Sequence, residues 1–120
     1  MGIYPKILCC RAIDSERDKL IGIIDIRHEL NDFLAAFGGH IGYGVRASER
    51  RNGYAAKILR MGLELCKSIN LGRVMLACYK DNAASGKTIV NNGGMLEREF
   101  VHADGKTVQV YWITLSPVQP

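Results

Sequence analysis

One stretch of this chain constrains its fold more than any other. Residues 40–69 read as a short apolar strand, a polar loop and then a long helix. Over residues 54–69, Ala55, Ile58, Leu59, Gly62, Leu65, Cys66 and Ile69 recur at the spacing that places them on one helical face, while Lys57, Arg60, Glu64 and Lys67 fall on the other. A helix with one apolar face must bury it against a second layer. Gly62 within that face costs about 1 kcal/mol of helix propensity. A close backbone approach to a sheet would explain why it is there.

The rest of the chain supplies the sheet. Residues 6–13 read as a strand that ends in the polar turn Asp14, Ser15, Glu16, Arg17 and Asp18, and the isoleucine-rich residues 19–27 read as its antiparallel hairpin partner. A loop with His28, Asn31, Gly38 and Gly39 leads to the strand at 40–45. Asn70, Leu71 and Gly72 stop the long helix, and 73–79 is a short, buried type of strand. Asp81 or Asn82 can cap a second helix that runs to about residue 90 and closes at Asn91, Asn92, Gly93 and Gly94. Two last strands, near 95–101 and 107–114, meet at the turn Ala103, Asp104, Gly105 and Lys106. The order is β-β-β-α-β-α-β-β, so helices must cross between strands. The expected fold class is α/β (α+β): a mixed, mostly antiparallel central sheet with flanking helices, residues 1–120 forming one domain.

Composition excludes several functions. With 48% hydrophobic and 23% charged residues in a chain of 120, a soluble globular domain is expected, and not a disordered, collagen-like or coiled-coil chain. No run approaches the roughly 18 apolar residues of a membrane span. The start of the chain lacks a basic region followed by an apolar core, so no secretory signal is read and a cytoplasmic location is expected. Four cysteines form no CxxC pair, and none of His28, His40 or His102 lies at zinc-ligand spacing from one. Adjacent Cys9 and Cys10 would point to opposite faces of a strand. The cysteines therefore read as buried apolar thiols, and no metal is expected. Net charge is +4 with no basic helix and no basic run with interleaved aromatics, so nucleic-acid binding is not expected.

The positions of the positive charges are more informative. Arg46, Arg50 and Arg51 lie in the loop that opens the long helix, and Gly53 stands at its start. Glycine lets backbone approach a ligand closely. The first amides of a helix lack intrahelical partners and, with the helix dipole, attract anions. Arginines beside them add charge-assisted hydrogen bonds to phosphate. A pyrophosphate is the natural guest. The plainer reading is a solvated basic loop before an ordinary helix.

The run Arg50, Arg51, Asn52, Gly53, Tyr54, Ala55 resembles the Gln/Arg-x-x-Gly-x-Gly/Ala signature of the GCN5-related N-acetyltransferase (GNAT) superfamily. The later run Asn82, Ala83, Ala84, Ser85, ending at Asn92, Gly93 and Gly94, resembles that family's second cofactor-contacting helix. The similarity covers about residues 6–116. Within the superfamily, Arg27, His28, Glu29, Leu30, Asn31 and Gly39, His40, Ile41, Gly42, Tyr43 resemble a group of bacterial acetyltransferases of undefined substrate. The resemblance implies an acyl-CoA N-acyltransferase fold, with acetyl-CoA as cosubstrate. The strand ending at Val45 would splay from the strand at 74–79, the pantetheine would pair with backbone near Tyr43, Gly44 and Val45, and the pyrophosphate would sit on the amides of Arg51, Asn52, Gly53, Tyr54, Ala55 and Ala56, with Arg50 beside them. Asn82 and Ser85 would touch the pantetheine or adenosine side.

Two departures from the family pattern follow. A strand and two helices that the family places ahead of the strand at Lys6 have no counterpart here. They would wall one side of the acceptor pocket, and the sheet edge they leave would need cover, so a homodimer is expected. Relatives often carry a tyrosine seven residues after the asparagine as the acid for the leaving thiolate. Here that position is Ile89, which cannot donate a proton. The base candidates are His40 and His28, chemically suited by an ordinary pKa of about 6.5. The expectation is an N-acetyltransferase that moves an acetyl group from acetyl-CoA to a primary amine by direct attack in a ternary complex. The alternative is a non-catalytic acetyl-CoA- or CoA-binding module, or an incomplete enzyme fragment.

Overall fold

The computed structural model describes residues 7–27, 39–50 and 52–115. Its elements are β1 (Ile7–Asp14), β2 (Lys19–Arg27), β3 (Ile41–Val45), α1 (Tyr54–Ser68), β4 (Arg73–Tyr79), α2 (Ala83–Asn91), β5 (Gly94–Val101) and β6 (Thr107–Thr114). This is the expected order. The loop between β3 and α1 adds a 3-10 turn, Ala47–Glu49, that no periodicity announces.

Local chemistry sets the boundaries. The Asp14 carboxylate accepts the amides of Glu16 and Arg17 and makes the β1–β2 turn. Asn70, at φ +66, ends α1 in the left-handed region, and the Leu71 amide reaches back to the carbonyl of Cys66 at 3.0 Å. The Asn82 side chain accepts the amide of Ser85 at 3.2 Å and caps α2. At the β5–β6 turn, Asp104 accepts the Lys106 amide at 2.9 Å beside Gly105 at φ +83.

The strands form two three-stranded sheets, in the orders β1-β2-β3 and β4-β6-β5. All described pairings are antiparallel. The expected central sheet is thus divided in the middle: among the described residues no ladder joins β3 to β4, the splay implied by the family resemblance.

A shared core holds the two halves together. Ile24 and Ile26 of β2, Val74 and Leu76 of β4 and Ile113 of β6 are buried with Ile58, Leu59 and Cys66 of α1. Alternation does the sorting in β2, where Ile23 is half exposed between buried neighbours. Each fully buried aliphatic side chain contributes about 1.5–3 kcal/mol. Leu63 joins the buried face of α1, whereas Leu65 packs only partly. Cys66 and Cys78 are free, buried thiols, and burial pushes Cys66 up to about 11. Among the described residues no helix is long and apolar enough to cross a membrane.

Gly62 marks the close approach of helix to sheet. A Cβ there would lie 2.3 Å from Cδ1 of buried Ile24. Gly62→Val should therefore cost roughly 1–3 kcal/mol by overpacking, read as a lower urea midpoint at unchanged slope. Gly72→Ala, where a Cβ would meet nothing within 4 Å, should leave the midpoint nearly unchanged.

Candidate functional site

Where the sheets part they leave a cleft of about 540 Å³. β3 lines it with Tyr43, Gly44 and Val45; the loop and the first turn of α1 contribute Glu49, Arg50, Gly53, Tyr54, Ala55 and Ala56; α2 contributes Asn82, Ala84, Ser85 and Thr88. Most of the residues singled out in the sequence thus meet on one surface. Asn52 is not in the lining; its side-chain amide donates to the Glu49 carbonyl at 3.2 Å and shapes the loop from behind. Arg51 and His28 lie outside the described residues.

The two helices that flank the cleft begin differently. α2 is closed by its Asn82 cap. α1 begins at Gly53, at φ +78, with no side-chain cap and no acidic residue in its first turn. Its first turn closes with the Lys57 amide on the Gly53 carbonyl at 3.4 Å. The amides of Tyr54, Ala55 and Ala56 therefore have no turn above them to bond to, and they lie at the cleft wall. A Cβ on Gly53 would face open space, so glycine serves conformation here and the approach stays clear. The exposed Arg50 donates from Nε to the Val45 carbonyl at 3.2 Å, which holds its guanidinium across the end of β3.

A carboxylate beside such an anion site needs an explanation. Glu49 lines the cleft, yet it is only 4% exposed and its oxygens are taken: Oε1 by Arg17 Nη2 at 2.5 Å and Oε2 by Lys19 Nζ at 2.9 Å. The hydrogen bond from Arg17, then that from Lys19, lowers the Glu49 pKa to about 2. The pairing cancels its charge toward the cleft and ties the loop to the β1–β2 hairpin. Sequence reasoning missed this clasp, because the partners lie 32 residues apart and no motif announces them.

Deeper in the cleft, Tyr43 and Ser85 meet. Tyr43 Oη and Ser85 Oγ are 3.0 Å apart, joining β3 to α2. Burial pushes the Tyr43 phenol above its ordinary value, so it keeps its proton at neutral pH. Behind them, Tyr111 Oη donates to Gln109 Oε1 at 2.9 Å. Ile89 is fully buried against Gly94, away from the cleft lining.

His40 lies at the apex, where the sheets come together. The Met75 amide donates to its Nδ1 at 2.9 Å, and the residue is 7% exposed. A neutral imidazole has one lone-pair nitrogen, and here it is already engaged. The candidate base His40 thus has its Nδ1 engaged by backbone and stands outside the residues that line the cleft.

Comparison with known proteins agrees with this layout. The profile of the acetyltransferase (GNAT) domain matches residues 5–95. Among solved structures, a mutant of spermidine N-acetyltransferase SpeG from Vibrio cholerae superposes with a TM-score of 0.76 at 16% identity, covering 91% of this chain and 66% of that one. Ribosomal-protein-S5-alanine acetyltransferase from Vibrio fischeri gives a TM-score of 0.73 at 19% identity, covering 90% of this chain and 61% of that one. The chain thus spans less than two thirds of the length of either structure. Nothing matches among curated protein sequences. The parted sheets and the two helices that flank them match the acyl-CoA N-acyltransferase fold. The chain belongs to the GNAT acetyltransferase family.

The Glu49 clasp predicts a particular acid response. Its folded pKa of about 2 is below the ordinary 4.5, so its contribution is complete above pH 4.5 and is lost as pH falls through about 2. Glu49→Gln should be less stable than the parent at pH 7, with the difference shrinking as pH falls from about 4.5 toward 2. Urea midpoints across that range check this; a difference of constant size would show that the ion pairs do not hold the loop.

Proposed function

We propose that the protein transfers the acetyl group of acetyl-CoA to a primary amine, by direct attack within a ternary complex. The observation that carries this is the uncapped start of α1 opening onto the gap between the two sheets. The pyrophosphate would rest on the amides of Tyr54, Ala55 and Ala56, with Arg50 alongside. The pantetheine would run along the free edge of β3. Among the described residues that strand pairs with β2 alone, so alternate amides and carbonyls on its other edge face the cleft. Asn82 and Ser85 would meet the same arm from α2.

In the reaction, the amine nitrogen attacks the thioester carbonyl carbon, forming the N–C bond, and its proton passes to solvent at the open cleft. An amide on the edge of β3 stabilises the oxyanion. The C–S bond then breaks, and the sulfur leaves as a thiolate that must be protonated. Ile89 has no proton to give. Tyr43 does: its O–H lines the cleft, stays protonated, and is held by Ser85. We assign it as the donor to the leaving sulfur, with Ser85 orienting it. The buried Ile89 also motivates a second reading, a module that binds acetyl-CoA without turning it over.

Ligand binding is the first test. Acetyl-CoA at about 100 times its dissociation constant should add about 2.7 kcal/mol, a rise in Tm of roughly 5–15 °C. CoA should act alike and ATP should not. Gly53→Glu, which puts a carboxylate at the phosphate position, should abolish the shift. If that variant binds as the parent does, the loop is not the phosphate site. For the chemistry, Tyr43→Phe should lower kcat by about 10²-fold or more with little change in KM. Binding without free CoA release across an amine panel would favour the non-catalytic reading.

A further inference from the structure

We propose that His40 is the clasp that fixes how far the two sheets open, and so sets the width of the cleft beyond it. Its effect on ligand affinity rests on reading that cleft as the acetyl-CoA site; the clasp itself does not. The His40 amide donates to the Met75 carbonyl at 2.7 Å, and the Met75 amide donates back to His40 Nδ1 at 2.9 Å. A pair of strands in a ladder makes such a two-way exchange with two peptide groups. Here the peptide cannot do both, because the His40 carbonyl is turned the other way and accepts the Arg27 amide of β2 at 2.7 Å. The imidazole supplies the acceptor that the backbone lacks. One residue thus serves one sheet with its carbonyl and the other with its amide and ring.

The surroundings hold this arrangement in place. Gly39 sits at φ +72, and a Cβ there would lie 2.4 Å from the Met75 carbonyl oxygen, so the two backbones are in contact. Arg27 Nη1 donates to the Gly39 carbonyl at 3.3 Å. The imidazole meets the Trp112 ring edge-on with centroids 6.1 Å apart, and the Arg73 guanidinium covers Trp112 at 4.1 Å. Met75 is 1% exposed, so its amide has no ready access to water if the imidazole is removed. Beyond the clasp the strands part, and Tyr43 is three residues along β3 from it. A change of angle at His40 therefore moves Tyr43 and Val45 relative to α2. With Nδ1 engaged, His40 is a positioning residue for the cleft and not a group that takes the amine's proton.

Nitrogen-15 NMR tests the clasp without any variant: the parent should show scalar coupling across the hydrogen bond between the Met75 amide nitrogen and His40 Nδ1. His40→Leu keeps bulk and removes the acceptor; His40→Asn offers Oδ1 in place of Nδ1. The Leu variant should speed Met75 amide exchange and raise the acetyl-CoA Kd, each at least about tenfold. The Asn variant should return both to within a few-fold of the parent, a rescue that lost packing alone would not give. Absent coupling in the parent, a Leu variant with parental exchange and affinity, or an Asn variant no better than Leu would each overturn the clasp. If the Leu variant does not fold, the coupling and the protection of Met75 in the Asn variant still decide. A parent that binds no acetyl-CoA would overturn the function proposed above, while the coupling and exchange data continue to judge the clasp.

Discussion

The architecture depends on an interruption. A sheet that stops pairing in its middle leaves backbone groups on two strand edges without ladder partners, and buried groups of that kind are costly. Here the cost is contained because the break is sealed at one end, where His40 and Met75 exchange two hydrogen bonds. Past that point the edge of β3 opens onto the cleft, where water or a ligand amide can satisfy it. Apolar burial under α1 and α2 then holds the halves in register although among the described residues no ladder does so. Stability and openness come from the same feature: the break that the core bridges also leaves an edge of β3 facing the cleft.

Charge is organised around the same opening. An uncapped helix start and an arginine favour an anion, and a carboxylate in the lining would oppose it. The fold keeps the carboxylate and directs its charge elsewhere, with Arg17 and Lys19 on its two oxygens. Because Arg17 is about half exposed, the pair is open to screening by salt, and its value lies more in fixing the loop than in stabilising the chain. The β1–β2 hairpin, remote from the cleft in sequence, thereby becomes part of the site's support.

Much of this could be read in the sequence because it is local. The face of α1, the Asn82 cap, the Asp14 turn and the Gly53 helix start depend on residues within a few positions of one another, and each lies where periodicity or spacing put it. What could not be read is what pairs over distance. The split of the sheet between β3 and β4 came only from family resemblance, since strand patterns do not say which strands fail to pair. The Glu49 clasp joins residues 32 positions apart. His40 is a titratable group beside a strand, which suggests a base; that its Nδ1 accepts a backbone amide 35 residues away is not legible in the sequence. Leu63 was missed for a milder reason, as the buried face of α1 is wider than one strict stripe.

The placement of Ile89 follows from packing. A Cβ on Gly94 would lie 2.5 Å from Ile89 Cγ2, so α2 presses its inner face directly onto the start of β5. A hydroxyl-bearing ring at that position would have to fit where a fully buried isoleucine now sits, and would bring an O–H needing a partner into an apolar contact. On β3 the same group has room, a partner in Ser85 and a cleft to face. In this chain the inner face of α2 is given over to packing, and the hydroxyls of Tyr43 and Ser85 stand where β3 and α2 face each other across the gap.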